Sequence, residues 1–444
     1  MQAKKGEAVF NIARLLNIAF MVLSIHICFV RFYNHTLPEV YYWKGKLMIA
    51  AVFTVLYLLF ADIYDSFDIR TGRVSEILYG QILALLISDA IMYLVLVFIA
   101  NGFPNILPAL AALAAQLVFA AMWSFAAKKA YLALVPPLAT AVISDDAAGL
   151  ERIIASHNLD FQFEVKSTLT SAECAADFAS LDGIEAVFLK AVSPVKDEII
   201  KQCAARGIRV FFIPEAGDMF VYGSVKKHML HLPVLESGRY NPPLMFLAAK
   251  RAFDIIFSLL FILILSPFML IVALAVKLCD RGPVFYRQTR LTQGGREFEI
   301  IKFRSMRVDA EQGKAVLSSG DNDDRITPVG RVIRKIRADE LPQLFNILGG
   351  SMSFVGPRPE RPEIAAIYSR DLPDFSLRLQ AKAGLTGYAQ VYGKYNTTPE
   401  DKLKMDLMYI SRPSIAEDFR IIFATLKIIF APESTEGFEE TDIK

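Results

Sequence analysis

The chain has 444 residues, of which 54% are hydrophobic and 21% charged. A soluble globular protein is typically about 45–50% apolar, so the surplus points to lipid. The formal net charge of +2 gives no reason to expect a nucleic-acid partner. Four scattered cysteines, Cys28, Cys174, Cys203 and Cys279, lack the spacing of a metal site or a disulfide framework and read as small buried residues.

Four apolar stretches at residues 9–30, 47–63, 77–100 and 106–127 each suit a spanning helix of about 20 residues. They make residues 1–130 a four-helix transmembrane bundle. Lys4 and Lys5 ahead of the first stretch imitate a signal peptide. Further spans follow and no small-residue cleavage site stands out, so the segment reads as a retained anchor. Lys4, Lys5, Arg14, Arg70, Arg73, Lys128 and Lys129 place the basic flanks on one side, which the positive-inside rule makes cytoplasmic; Arg31, Lys44 and Lys46 oppose it.

Hydropathy drops after Pro136-Pro137, and residues 136–238 alternate strand with helix. Strands are expected at 139–143, 161–166, 186–189 and 210–213, with helices such as 149–157 and 195–206 between them. This pattern predicts an α/β domain with a parallel sheet. Its first strand runs into Ile143-Ser144-Asp145-Asp146 and not into a G-x-G-x-x-G turn, so a structural or regulatory module without a dinucleotide is expected. His157, His228 and His231 are isolated and do not read as metal ligands.

A fifth apolar run, 252–278, has Lys250 and Arg251 before it and Lys277, Arg281 and Arg287 at or beyond its end. Basic residues at both ends favour neither side, and Ser266-Pro267 near its middle interrupts helical hydrogen bonding. Two readings stand: a re-entrant helix over 248–280 that breaks at Ser266-Pro267, or a kinked spanning helix. The remaining stretch, 281–444, is polar enough for a cytosolic domain of mixed but mainly helical structure. Near its end Ile415, Phe419, Ile422, Phe423, Leu426 and Phe430 recur at helical spacing, which fits either a core-facing stripe or one lying in the membrane interface.

The candidate chemistry lies between Arg325 and Arg361. Asp339-Glu340 is an adjacent acidic pair behind a basic segment of Arg331, Arg334, Lys335 and Arg337. Pro342 suits the first turn of a helix ending at Gly349-Gly350, which would set the pair at a helix N-terminus that also favours phosphate. Two such carboxylates can hold Mg²⁺ and leave one for attack on phosphorus. A surface capping pair bridged to the arginines is the alternative. No cysteine follows Cys279 and no histidine follows His231, so chemistry there must use carboxylates, hydroxyls and bases.

Several motifs then coincide in order: Lys250-Arg251-Ala252-Phe253-Asp254, Gly282-Pro283-Val284-Phe285-Tyr286-Arg287-Gln288, Ile301-Lys302-Phe303-Arg304-Ser305-Met306, and the segments 338–343, 352–359 and 384–390. From about Ala248 onward the chain resembles the bacterial sugar transferase family, the polyprenyl-phosphate glycosyl-1-phosphate transferases. The N-terminal helices with the α/β domain, which looks Rossmann-like, resemble the long form of that family. The resemblance implies transfer of a hexose-1-phosphate, glucose or galactose, from a UDP-sugar to undecaprenyl phosphate with release of UMP, as the first step of exopolysaccharide, capsule or O-antigen synthesis.

It further implies Asp339 as nucleophile, and Glu340 as its partner in holding Mg²⁺ or moving a proton. Lys302, Arg304, Arg334 and Arg358 become phosphate-binding residues, and Ser266-Pro267 the re-entrant break. Lys302 and Arg304 would share one face of a strand at 298–304 and could meet the same phosphate; either could instead be a solvated charge. Thr289-Arg290-Leu291-Thr292-Gln293-Gly294-Gly295 departs from the family pattern, in which a Gly more often follows the arginine closely. Residues 394–399 read as a loop that either helps recognise sugar or base, or is merely polar. The expected location is the bacterial inner membrane, in contact with membrane lipid and with the catalytic domain cytosolic; a homodimer is compatible with all of this. A non-catalytic membrane scaffold that senses a nucleotide is the alternative. A transporter fits poorly, since there is no internal repeat and few ionisable residues lie in mid-membrane.

Overall fold

The computed structural model describes residues 2–145, 161–192, 194–229, 232–236, 240, 242–307, 325–393 and 397–430. Five helices in it are long and apolar enough to cross a membrane, and the chain is a membrane protein. It divides into two compact units, Met1–Ile213 and Pro214–Lys444.

The first unit begins with α1 (Gln2–Cys28), which widens into a π-turn over Phe29–Tyr33, then α2 (Trp43–Ile63), α3 (Val74–Ala100) and α4 (Leu107–Leu134). α1 packs on α2 and α4, and α3 packs on the same two helices. Several of the polar groups between them are paired, which offsets the cost of burying them. Tyr57 donates to Asn17 at 2.7 Å, and Asn17 donates to Gln81 at 3.2 Å, tying α1, α2 and α3. Lys128 is buried and donates to the carbonyls of Ile69 and Arg70 at 3.1 and 3.2 Å.

The sheet that follows comprises β1 (Leu138–Ser144), β2 (Phe163–Leu169), β3 (Ala186–Lys190) and β4 (Arg209–Phe212), in the order β2-β1-β3-β4 and parallel throughout. Parallel neighbours need crossover connections. α5 (Ser171–Ala176) lies between β2 and β3, and α6 (Val195–Ala205) between β3 and β4. Ala141, Ile143, Val187, Leu189 and Ile199 form the core between sheet and helices. The helix expected at 149–157 and His157 lie outside the described residues, as does His231.

The sequence carried this domain on to 238, but the compact division falls at Ile213/Pro214. α7 (Ala216–Tyr222) contributes Met219 to the core of the second unit, and β5 (Val225–Met229) and β6 (Leu232–Glu236) pair with each other and not with the parallel sheet.

α8 (Leu244–Asp280) is 37 residues long, about 55 Å at 1.5 Å per residue. The helix runs without interruption through Ser266-Pro267. Pro267 lies inside it and Ser266 donates to the Leu263 carbonyl at 2.9 Å. Proline removes one backbone donor, and a long apolar helix absorbs that loss without ending. The two halves of α8 are held by the same unit. In the first half, Arg251 donates to the carbonyls of Ile347 and Leu348, both at 2.7 Å, and Asp254 accepts from Phe354 N at 3.0 Å and Ser353 Oγ at 3.1 Å. In the second half, Met269, Val272 and Val276 pack on Phe303, Ile333 and Ala338. Leu263, between these two sets of contacts, and Leu270, next to Met269, are 73% and 70% exposed.

The rest of the second unit is mixed α/β. β7 (Phe285–Leu291) and β8 (Glu297–Phe303) form an antiparallel hairpin, turned by Gly294 and Gly295 at φ 73° and 75°, a left-handed conformation that glycine takes without steric cost. Then come α9 (Pro328–Lys335), α10 (Gln343–Gly349), β9 (Ser353–Val355), α11 (Pro362–Asp371), β10 (Gly384–Thr386), α12 (Tyr388–Val391), α13 (Pro399–Ser411) and α14 (Ile415–Phe430). Ile347, Phe354, Leu403, Leu407, Ile410 and Ile421 share its core. α14 turns Ile421 and Ala424 inward, while Ile415 and Phe419 of the expected stripe stay 44% and 38% exposed. Core packing therefore holds for one edge of that helix. Cys28, Cys174 and Cys203 are buried as expected, whereas Cys279, near the end of α8, is exposed.

Candidate active site

Three segments distant in sequence converge on Asp339 and Glu340. The first is β8. Alternation along a strand turns Phe303 into the apolar core and Lys302 the other way; Lys302 Nζ meets Glu340 Oε1 at 2.9 Å. The strand ends at Phe303, so Arg304 does not continue the Lys302 face. It turns to pair with Asp280 at the end of α8 and is buried there. Gly282 leaves the room for this, since a Cβ at that position would collide with the Arg304 guanidinium. The expectation that Lys302 and Arg304 address one phosphate is thus replaced by two separate ion pairs.

The second segment is α9. Thr327 caps it, its hydroxyl accepting from Gly330 N at 2.9 Å, and Pro328 opens its first turn. Arg334, in the last turn, donates from Nε to Ser305 Oγ at 2.9 Å. Arg337 then adopts a left-handed conformation, φ 53°, and closes the helix. The acidic pair consequently sits in a 3₁₀ turn of its own, Ala338–Glu340, ahead of α10 and not in that helix's first turn.

The third segment is the Pro-rich turn after β9. β9 pairs in parallel with β10, Ser353 opposite Gly384 and Val355 opposite Thr386, which brings the motif at 352–359 against the one at 384–390. Arg358, on that turn, is half-exposed and reaches Glu340 Oε1 at 3.6 Å.

The two carboxylates sit in opposed environments. Asp339 is 9% exposed. Burial is the main cause that raises its carboxyl above the ordinary range; Glu340 adds to the rise, while Lys302 and Arg334 oppose it. Burial would raise Glu340 as well, but Lys302 and Arg358 together outweigh it and hold that carboxyl at about 2. One carboxylate is therefore pinned as an anion between two cations. Its neighbour has no cation paired to it at salt-bridge distance among the described residues.

Among the described residues no three His, Cys, Asp or Glu side chains gather as a metal cage. Two adjacent carboxylates do suit Mg²⁺, which keeps several waters and binds through one or two carboxylates plus substrate phosphates. Lys302 and Arg358 both engage Oε1 of Glu340, which leaves Oε2 and the Asp339 carboxylate for a cation.

Sequence reading missed the groups that hold this site in place. Arg251 binds the last carbonyls of α10, and Asp254 fixes the start of β9. Arg378, 3% exposed, donates from Nε to Asp406 at 2.8 Å and from Nη2 to the Arg358 carbonyl at 2.9 Å. A lone arginine in the run Ser376-Leu377-Arg378-Leu379 carries no local signal of such a partner. Arg251 and Asp254 did stand in a recognised motif, so there the position was visible and the role was not. Lys394, Tyr395 and Asn396 of the polar loop lie outside the described residues; Thr398 caps α13.

The bacterial sugar transferase family model matches residues 245–432. A UDP-N-acetylgalactosamine-undecaprenyl-phosphate N-acetylgalactosaminephosphotransferase of Aeromonas hydrophila is 38% identical over 236 residues, 52% of this chain and 55% of the relative. A UDP-glucose:undecaprenyl-phosphate glucose-1-phosphate transferase of Xanthomonas campestris pv. campestris is 40% identical over 225 residues, 49% of this chain and 46% of the relative. The exopolysaccharide production protein PSS of Rhizobium leguminosarum bv. phaseoli is 41% identical over 188 residues, 40% of this chain and 94% of that protein. The chain thus spans about half the length of the first two of these relatives.

Proposed function

The chain belongs to the bacterial sugar transferase family, and on that premise we propose that it transfers a sugar-1-phosphate from a UDP-sugar to undecaprenyl phosphate, releasing UMP and starting an exopolysaccharide. The observation that carries this reading is the buried Asp339 beside Glu340, the latter held ionised by Lys302 and Arg358.

The reaction proceeds by two displacements at phosphorus. An Asp339 carboxylate oxygen attacks the phosphorus that bears the sugar, the bond to the UMP oxygen breaks, and UMP leaves. An oxygen of undecaprenyl phosphate then attacks the same phosphorus, and the Asp339 carboxylate leaves unchanged. The sugar–oxygen bond is untouched throughout. Arg358 and Lys302 stabilise the diphosphate and the charge that develops as UMP departs. Arg334, fixed by Ser305, supplies positive potential near Asp339. Arg304 acts at one remove, by tying the end of α8 to the strand that carries Lys302. Mg²⁺ held by Asp339 and Glu340 would supply further neutralisation of the diphosphate when bound. A panel of UDP-sugars offered with undecaprenyl phosphate should give UMP release with at least one hexose donor; no release with any of them would overturn the assignment.

The same reading makes the four N-terminal helices a transmembrane bundle, the parallel sheet a Rossmann-like module without a dinucleotide, and α8 a re-entrant helix at the inner membrane with the catalytic domain in the cytosol. Support for a re-entrant α8 comes from its two halves, which attach to one unit while its outward residues such as Leu263 and Leu270 stay exposed. Single cysteines test it. Ala248 and Glu297 are exposed positions on either side of the apolar stretch. Cysteines there, in a Cys279→Ser background, should both resist an impermeant thiol reagent in intact cells and both react in inverted membranes. Opposite labelling of the two would make α8 a spanning helix.

A further inference from the structure

Beside the acidic pair lies a cavity of ≈ 240 Å³, between the end of β7, the Pro-rich turn, α11 and the 3₁₀ turn Pro373–Gln380. Arg358 belongs to both places: it lines the cavity, and its guanidinium reaches Glu340. Pockets that take a whole drug-sized ligand are usually about 300–1,000 Å³, so this space suits one ring of a larger molecule whose remainder lies outside.

The wall is built, and one buried donor in it makes no hydrogen bond. Phe375 is 2% exposed, and the Arg378 guanidinium carbon lies 4.9 Å from the centre of its ring. Arg378 itself is 3% exposed. Its Nε and Nη2 are committed to Asp406 and the Arg358 carbonyl, yet its buried Nη1 has no hydrogen-bond partner among the described residues. A buried donor that makes an ion pair but no hydrogen bond keeps a directional contact that a ligand can supply. Glu360 Oε1 stands 3.5 Å from that nitrogen, so the cavity presents a cationic donor next to an anionic acceptor above an aromatic floor. Ala366 and Ser376, both exposed, stand at its mouth.

We propose that this cavity receives the pyrimidine base of the donor nucleotide, with Arg378 donating to a ring carbonyl and Glu360 accepting from the ring N–H. A uracil edge carries that carbonyl and that N–H side by side, and the flat ring lies on the apolar wall. Arg358, at the boundary, then meets the diphosphate as it leaves the cavity toward Asp339. This inference rests on the UDP-sugar reading and names the part of the donor that the cavity takes.

The test uses the full chain in nanodiscs, with UMP and ribose 5-phosphate as binding probes and UDP-sugar turnover as a second readout. Arg378→Ala risks the fold, because Asp406 would lose its partner. Ala366→Phe and Ser376→Phe instead add bulk at exposed positions of the mouth. Each should weaken UMP binding and raise KM for the UDP-sugar by about tenfold or more, while KM for undecaprenyl phosphate stays within about twofold of wild type. Wild-type protein should prefer UMP to ribose 5-phosphate, and the two variants should lose that preference. Wild-type UMP affinity and preference in both variants would overturn the cavity assignment while the donor reading stands. A wild-type protein that neither binds UMP nor releases it from any UDP-sugar would instead remove the donor reading itself.

Discussion

Asp339→Asn should reduce UMP release by about a thousandfold or more while the protein remains folded in membranes. The amide keeps the shape of the side chain and removes the attacking oxygen anion, so the first displacement cannot begin. Asp339 is 9% exposed and its carboxyl is raised chiefly by burial; a neutral isostere relieves a buried charge and should not weaken the fold. The trapped sugar-phosphate adduct should vanish together with turnover. Glu340→Gln provides the contrast. It strips Lys302 and Arg358 of their shared anion, so activity should fall with the geometry disturbed but the Asp339 nucleophile still present, and some adduct should remain. Near-wild-type UMP release by Asp339→Asn would remove this residue from the first displacement.

Chelation should have the other large effect. EDTA is expected to bring UMP release to background, and added Mg²⁺ or Mn²⁺ to restore it. The local donors are hard oxygens, Asp339 and Oε2 of Glu340, with no His or Cys gathered beside them among the described residues; such a set suits Mg²⁺ or Mn²⁺ over softer metals. Lys302 and Arg358 neutralise one carboxylate, but a diphosphate brings more negative charge than those two cations balance, and a cation held by Asp339 and Glu340 would supply the remainder. Full turnover in excess chelator would leave Lys302, Arg334 and Arg358 to act without metal. A decisive control is the Asp339→Asn protein, which should not recover with either ion.

The local elements were legible because their signals are local. A run of about 20 apolar residues predicts a helix long enough to cross a membrane, and each of the four N-terminal helices covers its expected stretch almost entirely, running up to seven residues beyond it. The strands at 139–143, 186–189 and 210–213 were readable from short runs of Val, Ile, Leu and Phe, and their separation by crossovers implied the parallel order seen in β1, β3 and β4. Asp339, Glu340, Lys302 and Arg358 were identified through their motifs and lie together. The division at Ile213/Pro214 was not legible, because α7 looks like any short amphipathic helix until Met219 finds the second unit's core.

By itself, then, the sequence determined the helices long and apolar enough to cross a membrane, the parallel α/β sheet and the adjacency of Asp339 and Glu340, all of which depend on residue type, spacing and local period. Only the tertiary structure decided which charge meets which. Lys302 reaches Glu340 across 38 positions, and Arg378 reaches Asp406 across 28 and the Arg358 carbonyl across 20. Arg304, which shares Lys302's parity, ends on Asp280 because the strand stops one residue earlier. Side-chain charge is written in the sequence, but its partner is chosen by backbone ends, by burial and by the space a neighbour such as Gly282 leaves, and these exist only once distant segments have packed.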